Sequence, residues 1–142
     1  MAARPQGEEA EREDGSVRSS GLTFDTGMLI ALERRRPRAW LVYREARNAK
    51  VPIHVPTAVI AEWWRGRTDA REHVKSGLLL EALSAPLAQL AGEALAAVPR
   101  STVVDAIVMA SAASRGDVVY TSDVGDFERL RAFFPSVRVL SV

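Results

Sequence analysis

Asp117-Val118-Val119-Tyr120-Thr121 is a short, almost unbroken apolar run that starts just after Arg115-Gly116 and stops at Ser122-Asp123. A strand with apolar side chains on both of its faces belongs inside a parallel sheet covered by helices on either side. The flanking segments agree with that placement. Upstream, Ser101 or Thr102 caps a helix from Val103 to Ser114, and Gly116 ends it. Downstream, Ser122 to Asp126 predicts a turn, Phe127 to Phe134 a short helix, and Val137-Arg138-Val139-Leu140 a last strand.

The same alternation of strand and helix extends back to Leu22. Leu22-Thr23-Phe24 is a short strand running into Asp25-Thr26-Gly27, followed by a helix over Met28-Leu29-Ile30-Ala31-Leu32 that ends near Arg36-Pro37. A second helix runs from about Arg38 to Asn48, its buried side marked by Trp40, Leu41, Tyr43, Ala46 and Ala49. Ile53-His54-Val55, bracketed by Pro52 and Pro56, is a strand, and Thr57 caps a helix closed at Gly66. Asp69 opens a helix through Val74 to about Leu83, and Pro86 to Val98 forms another before Pro99. The expected fold is therefore α/β, one domain with an open, mostly parallel sheet and helices on both faces.

A chain of 142 residues is long enough for one domain with a real core. With 47% hydrophobic and 26% charged residues it has the balance of a soluble globular protein, and no apolar run is long enough to span a membrane. The absence of cysteine excludes disulfides, thiolate zinc sites and a cysteine nucleophile, so a cytoplasmic location is expected. No Gly-rich phosphate loop is present. Residues 1–20 carry Glu8, Glu9, Glu11, Glu13 and Asp14 against three arginines and a single branched aliphatic, Val17. They are expected to be a disordered acidic tail, dispensable back to a start at Val17, with the domain covering 21–142.

Four acids then stand out by position. In open parallel sheets, sites form beyond the carboxyl ends of the strands. Asp25 follows the first strand, Glu62 lies in the helix after the second, and Asp123 follows the penultimate one. Asp105 opens the helix that leads into that penultimate strand, and the topology leaves open which edge it reaches. Each acid also has a structural explanation: Asp25 as a helix cap, Glu62 on a solvated face, Asp105 in a capping box with Thr102, Asp123 and Asp126 as turn residues. As a set they suit a hard divalent cation, which takes oxygen ligands and offsets the repulsion among carboxylates. His54 and His73 stand near no serine or cysteine in a familiar catalytic pattern. Trp63 and Trp64 occupy adjacent helical positions, so one belongs to the core and the other to a surface. Arg34, Arg35, Arg36 and Arg38 form a dense basic cluster, either a solvated helix end or a contact surface for nucleic-acid phosphates.

In this order the motifs resemble the PIN-domain ribonucleases, and among them the VapC-type toxins of toxin–antitoxin pairs. Leu22 to Ile30 is similar to the family's opening strand, acid and helix. Val55-Pro56-Thr57-Ala58-Val59-Ile60-Ala61-Glu62-Trp63-Trp64-Arg65-Gly66 is similar to its second acid-bearing helix. Asp105 to Ala112, Gly116 and Tyr120 to Phe127 are similar to its C-terminal signature. The resemblance covers about residues 21–142. It implies that Asp25, Glu62, Asp105 and Asp123 hold Mg²⁺ or Mn²⁺, with Asp126 an accessory acid and Thr26 and Thr121 supporting the site through hydroxyl contacts. It further implies cleavage of RNA of the tRNA or rRNA class, homodimers, and inhibition by a cognate antitoxin protein. The alternatives are a PIN-like RNA-processing nuclease with no antitoxin and a non-catalytic protein- or RNA-binding module. Phosphoryl transfer to an aspartate fits less well, because Asp25 has no acidic neighbour and no lysine follows Lys75.

Overall fold

Strand β1 (Leu22–Phe24) is the centre of the molecule, and every other strand is added outward from it. The structure, a computed structural model, describes residues 21–142, so the expectations for the acidic tail lie outside the described residues. From β1 the chain passes through α1 (Thr26–Glu33) and α2 (Pro37–Asn48) to β2 (Ile53–Pro56). It continues through α3 (Thr57–Trp63) and α4 (Asp69–Ser76) to β3 (Leu79–Glu81). Helices α5 (Ala85–Ala97) and α6 (Val103–Arg115) then carry it back across the sheet to β4 (Val118–Thr121). Finally α7 (Val124–Leu130) leads to β5 (Arg138–Ser141).

The strand order is β3-β2-β1-β4-β5 and every pairing is parallel. Right-handed crossovers in such a sheet place the helices before β2 and β3 on one face and those before β4 on the other. The direction of winding reverses between β1 and β4, and the crevice beyond their carboxyl ends is where ligands of open α/β sheets bind. Phe24, Met28, Leu29, Leu32, Val55, Val59, Val108, Met109 and Val119 are fully or almost fully buried and form the core around these strands.

The α/β parallel architecture agrees with the reading of the sequence, and five local expectations are corrected. The segment around Leu79 is not the end of a long helix. After α4 closes at Gly77, three residues pair with β2 as the edge strand β3. Thr57 is the first residue of α3 and not its cap; Pro56 holds that position with no side-chain hydrogen bond. Leu41 and Ala49 lie on the exposed side of α2, whose buried residues are Ala39, Tyr43 and Ala46. Pro37 starts α2, where a missing N–H costs nothing, and α7 begins at Val124, three residues before its expected start.

Gly77 shows how tightly α4 turns into β3. A Cβ there would collide with the hydroxyl of buried Tyr43 and the guanidinium of Arg47. That hydroxyl donates to the carbonyl of Val74 at 3.0 Å and cannot withdraw without losing the bond. Gly77→Ala is therefore expected to destabilise the fold by about 1–3 kcal/mol, the usual cost of overpacking a core, measurable as a lower urea midpoint at unchanged slope.

Candidate metal-binding active site

Each carboxylate is placed by ordinary local chemistry. Asp25 ends β1 and caps α1: its Oδ1 accepts from the N–H of Met28 at 2.8 Å. Its Oδ2 accepts from the hydroxyl of Thr121, the last residue of β4, at 2.6 Å. Thr121 Oγ1 in turn accepts from the N–H of Asp123 at 2.9 Å. One hydroxyl therefore ties the carboxyl end of β1 to the turn that carries Asp123. On α3, Glu62 is exposed, and its Oε1 accepts from the Thr26 hydroxyl at 2.6 Å. Thr102 caps α6 by accepting from the N–H of Asp105 at 3.2 Å, which sets Asp105 in the first turn.

The electrostatics link these groups. Asp25 is 5% exposed, and burial pushes its carboxyl up to about 6. Hydrogen bonds from Thr121 and Met28 oppose that rise, and the charge of Asp105 adds to it. Burial also raises Asp105, against the Thr102 hydroxyl, and the charges of Asp126, Glu62 and Asp123 raise it further. All five acids singled out in the sequence are thus drawn toward one edge of the sheet. No cationic side chain forms an ion pair with Asp25, Glu62, Asp105 or Asp123 among the described residues, whereas Asp126 meets Arg129 at 3.4 Å.

The donor set is all carboxylate oxygen, which suits Mg²⁺ or Mn²⁺. Mutual repulsion without a paired cation is what such an ion relieves. Among the described residues, no three His, Cys, Asp or Glu side chains are already gathered as a metal cluster. The fit therefore rests on the chemistry of the donors and their shared field.

Asp117 provides the contrast. It is as buried as Asp25, at 3% exposed, but it lies at the opposite end of β4 with a cation beside it. Its Oδ2 accepts from Arg115 Nε at 2.9 Å and the Thr23 hydroxyl at 2.8 Å, and its Oδ1 accepts from the N–H of Gly21 at 3.0 Å. Arg115 also bridges to Glu81 on β3 at 2.8 Å. Burial disfavours the charge on Glu81, but the Ser111 hydroxyl and Arg115 prevail and hold its carboxyl below the usual range. A buried acid with these partners is structural, and the spacing in sequence gave no sign of the network because Asp117 and Thr23 are 94 residues apart.

Ser122 as a neighbour of Asp25, and Glu33, were not singled out in the sequence. Ser122 lies over Gly27, where an added Cβ would strike its hydroxyl and stand 3.6 Å from Asp25 Oδ1. Glu33 receives Trp63 Nε1–H at 3.0 Å and Arg71 at 3.0 Å, tying α1 to α3 and α4. Trp63 is in the core, while Trp64 lies near the surface under Lys75, whose Nζ is 4.9 Å from its ring centre. Arg34, Arg35, Arg36 and Arg38 are all exposed at the α1–α2 junction. His54 approaches Asp117 Oδ2 at 3.4 Å, and His73 stacks on Trp40.

No family model matches the chain, and no curated protein matches it in sequence. Solved structures match it in fold. VapBC from Salmonella typhimurium, solved bound to DNA, superposes with a TM-score of 0.64 at 17% identity, over 87% of this chain and 98% of that one. A toxin–antitoxin complex from Klebsiella pneumoniae gives 0.62 at 22% identity, over 85% and 96%. VapC20 of Mycobacterium tuberculosis, a toxin that cleaves the sarcin–ricin loop, gives 0.58 at 23% identity, over 76% and 93%. The chain has the fold of these VapC-type PIN-domain proteins along nearly their whole length.

Proposed function

We propose that the protein is a metal-dependent endoribonuclease and the toxin of a toxin–antitoxin pair, cutting RNA of the tRNA or rRNA class. The observation that carries this reading is Asp25, a buried carboxylate with no cationic partner among the described residues, raised by burial and by the charge of Asp105. A group so placed lowers stability unless a ligand offsets its charge. Its position at the switch point of the sheet is the place where such a ligand binds.

Asp25, Glu62, Asp105 and Asp123 would hold the ion. Bound Mg²⁺ or Mn²⁺ would supply an acidified water as nucleophile and offset charge on the phosphoryl group. The protein's own part is to fix the acids: Thr121 and the Met28 N–H orient Asp25, and Thr26 restrains Glu62. A binding module without catalysis would have no use for this set. The fold similarity to solved toxin–antitoxin complexes supports an antitoxin as partner.

We propose a homodimer contact at the free edge of the sheet, over β3 and the residues that lead from it into α5. Leu79, Leu80 and Leu83 are about half exposed there, and Glu93 is the sole charge on α5. Among the described residues no helix is long and apolar enough to cross a membrane.

Purified full chain is expected to cut RNA with Mg²⁺ or Mn²⁺ and to stop in EDTA; cleavage that persists in EDTA would overturn the assignment. Changing Arg34, Arg35, Arg36 and Arg38 together to Gln should weaken RNA binding and flatten its dependence on salt. An unchanged slope would return the cluster to a solvated helix end.

A further inference from the structure

A run of three adjoining depressions leads from Glu62 along α1 to its far end. The first, about 230 Å³, is lined by Glu62, Arg34, Arg65 and Glu33. Glu33 also lines the second, about 220 Å³, together with Arg35, Trp40 and His73. The last three residues then line the third and most spacious, about 670 Å³, with Arg44 and Pro37. Successive depressions that share lining residues thus lie between Glu62 and an aromatic and basic pocket at the α1–α2 junction.

The chemistry of this end pocket is specific. The His73 ring stacks on Trp40 at 5.8 Å and 23° between planes. Trp40 is itself anchored, donating Nε1–H to the carbonyl of Leu32 at 2.9 Å. Arg35 and Arg44 are exposed at the rim and form no ion pair among the described residues. Trp40 and Pro37 are its only apolar lining residues, so the pocket suits a flat polar group with negative charges beside it better than an aliphatic helix. Arg35 has φ 58, in the left-handed region where a residue with a side chain is strained, so this position carries a guanidinium at some cost to the backbone.

We propose that this pocket is a second RNA-binding site, in which an unpaired base stacks against the Trp40–His73 pair while Arg35 and Arg44 hold its flanking phosphates. The proposal rests on the ribonuclease reading above. Aromatic planes framed by cations bind single-stranded nucleic acid in this manner. Helix α1 is roughly 12 Å long. At about 3.4 Å or more per nucleotide, a strand of a few nucleotides spans that length. The pocket would then select RNAs with an unpaired residue at that spacing.

The test compares full-chain wild type with Arg35→Gly, Arg44→Gln and His73→Ala on two single-stranded RNAs cut in Mg²⁺. One is about twelve nucleotides long and one too short to reach the pocket. Each variant should raise KM for the long RNA by about fivefold or more, the scale of one stacked base, and Arg44→Gln and His73→Ala should leave kcat and the short RNA unchanged. Arg35→Gly should melt no lower than wild type, because glycine takes that backbone conformation freely, and Arg44→Lys should recover part of the loss. Equal effects of Arg44→Gln and His73→Ala on both lengths, or an unmoved KM for the long RNA, would overturn the proposal and leave the pocket to a protein partner. If wild type neither binds nor cuts either RNA, the ribonuclease reading fails first and this proposal falls with it. Should Arg35→Gly misfold, Arg44→Gln and His73→Ala, both on exposed helix surface, decide the matter alone.

Discussion

Asp25→Asn is expected to reduce RNA cleavage by about a hundredfold or more while making the metal-free protein more stable at neutral pH. The first effect follows because charge stabilisation by an ion contributes several kcal/mol to such a transition state, and each 1.36 kcal/mol is tenfold in rate. The second follows from burial. Moving a carboxyl from 3.8 to about 6 corresponds to roughly 3 kcal/mol. The folded protein holds this proton more tightly than the unfolded chain does. Stability therefore falls as pH rises from about 4 to about 6 and stays level above that. Asparagine does not titrate, so the variant's advantage should vanish near pH 4 and approach its full size by pH 7. Urea unfolding in EDTA at several pH values measures it. Equal stability at pH 7, or a less stable variant, would mean that the cap on α1 outweighs burial of the charge. Added Mg²⁺ should raise the melting temperature of wild type and leave the variant nearly unchanged.

Asp117→Ala should do the opposite, costing about 3–5 kcal/mol, the range for removing one member of a buried ion pair. Arg115, Thr23 and the N–H of Gly21 all lose their acceptor, and Arg115 keeps Glu81, Ser111 and the Thr23 hydroxyl oxygen. The domain should unfold at much lower urea with little change in the slope. A loss under about 1 kcal/mol, comparable with an ordinary surface change, would show that water replaces the carboxylate. The two aspartates are equally buried and lie at opposite ends of the sheet. Substitution of one should separate activity from stability, and substitution of the other should remove both together.

The parallel sheet was legible because β1, β2 and β4 each carry a short apolar run bounded by a turn residue or proline. Strand β3 was not legible. Leu78-Leu79-Leu80-Glu81 follows Gly77 with no turn signal behind it, and a short leucine run has no period that separates strand from helix. What makes it a strand is the free edge of β2, a tertiary fact. The same holds for α2, where Leu41 was assigned to the buried side although half of its surface stays exposed.

The acids could be singled out because Asp25, Asp105 and Asp123 each fall at an element boundary, where topology alone gives a position. Their hydroxyl partners lie far away in sequence: Thr121 is 96 residues from Asp25, and Thr26 is 36 from Glu62. Only the resemblance to a known family pointed to those two threonines. Arg35 offered no sign of its backbone strain, since a basic run reads the same whatever φ each residue takes.

The strand order has a consequence for the protein while it is being made. β1 is central, β2 and β3 add to one side in the order they are synthesised, and β4 and β5 then add to the other. No strand has to insert between two already paired, so the sheet can grow at its edges as the chain emerges, and domains generally form as units in this direction. The bond from Thr121 to Asp25 closes only when β4 arrives, after β1, β2 and β3 have been made. An emerging chain can therefore own a folded half-sheet and still lack the site: Asp25 waits, without Thr121 or Asp123, until β4 and the turn after it have been made.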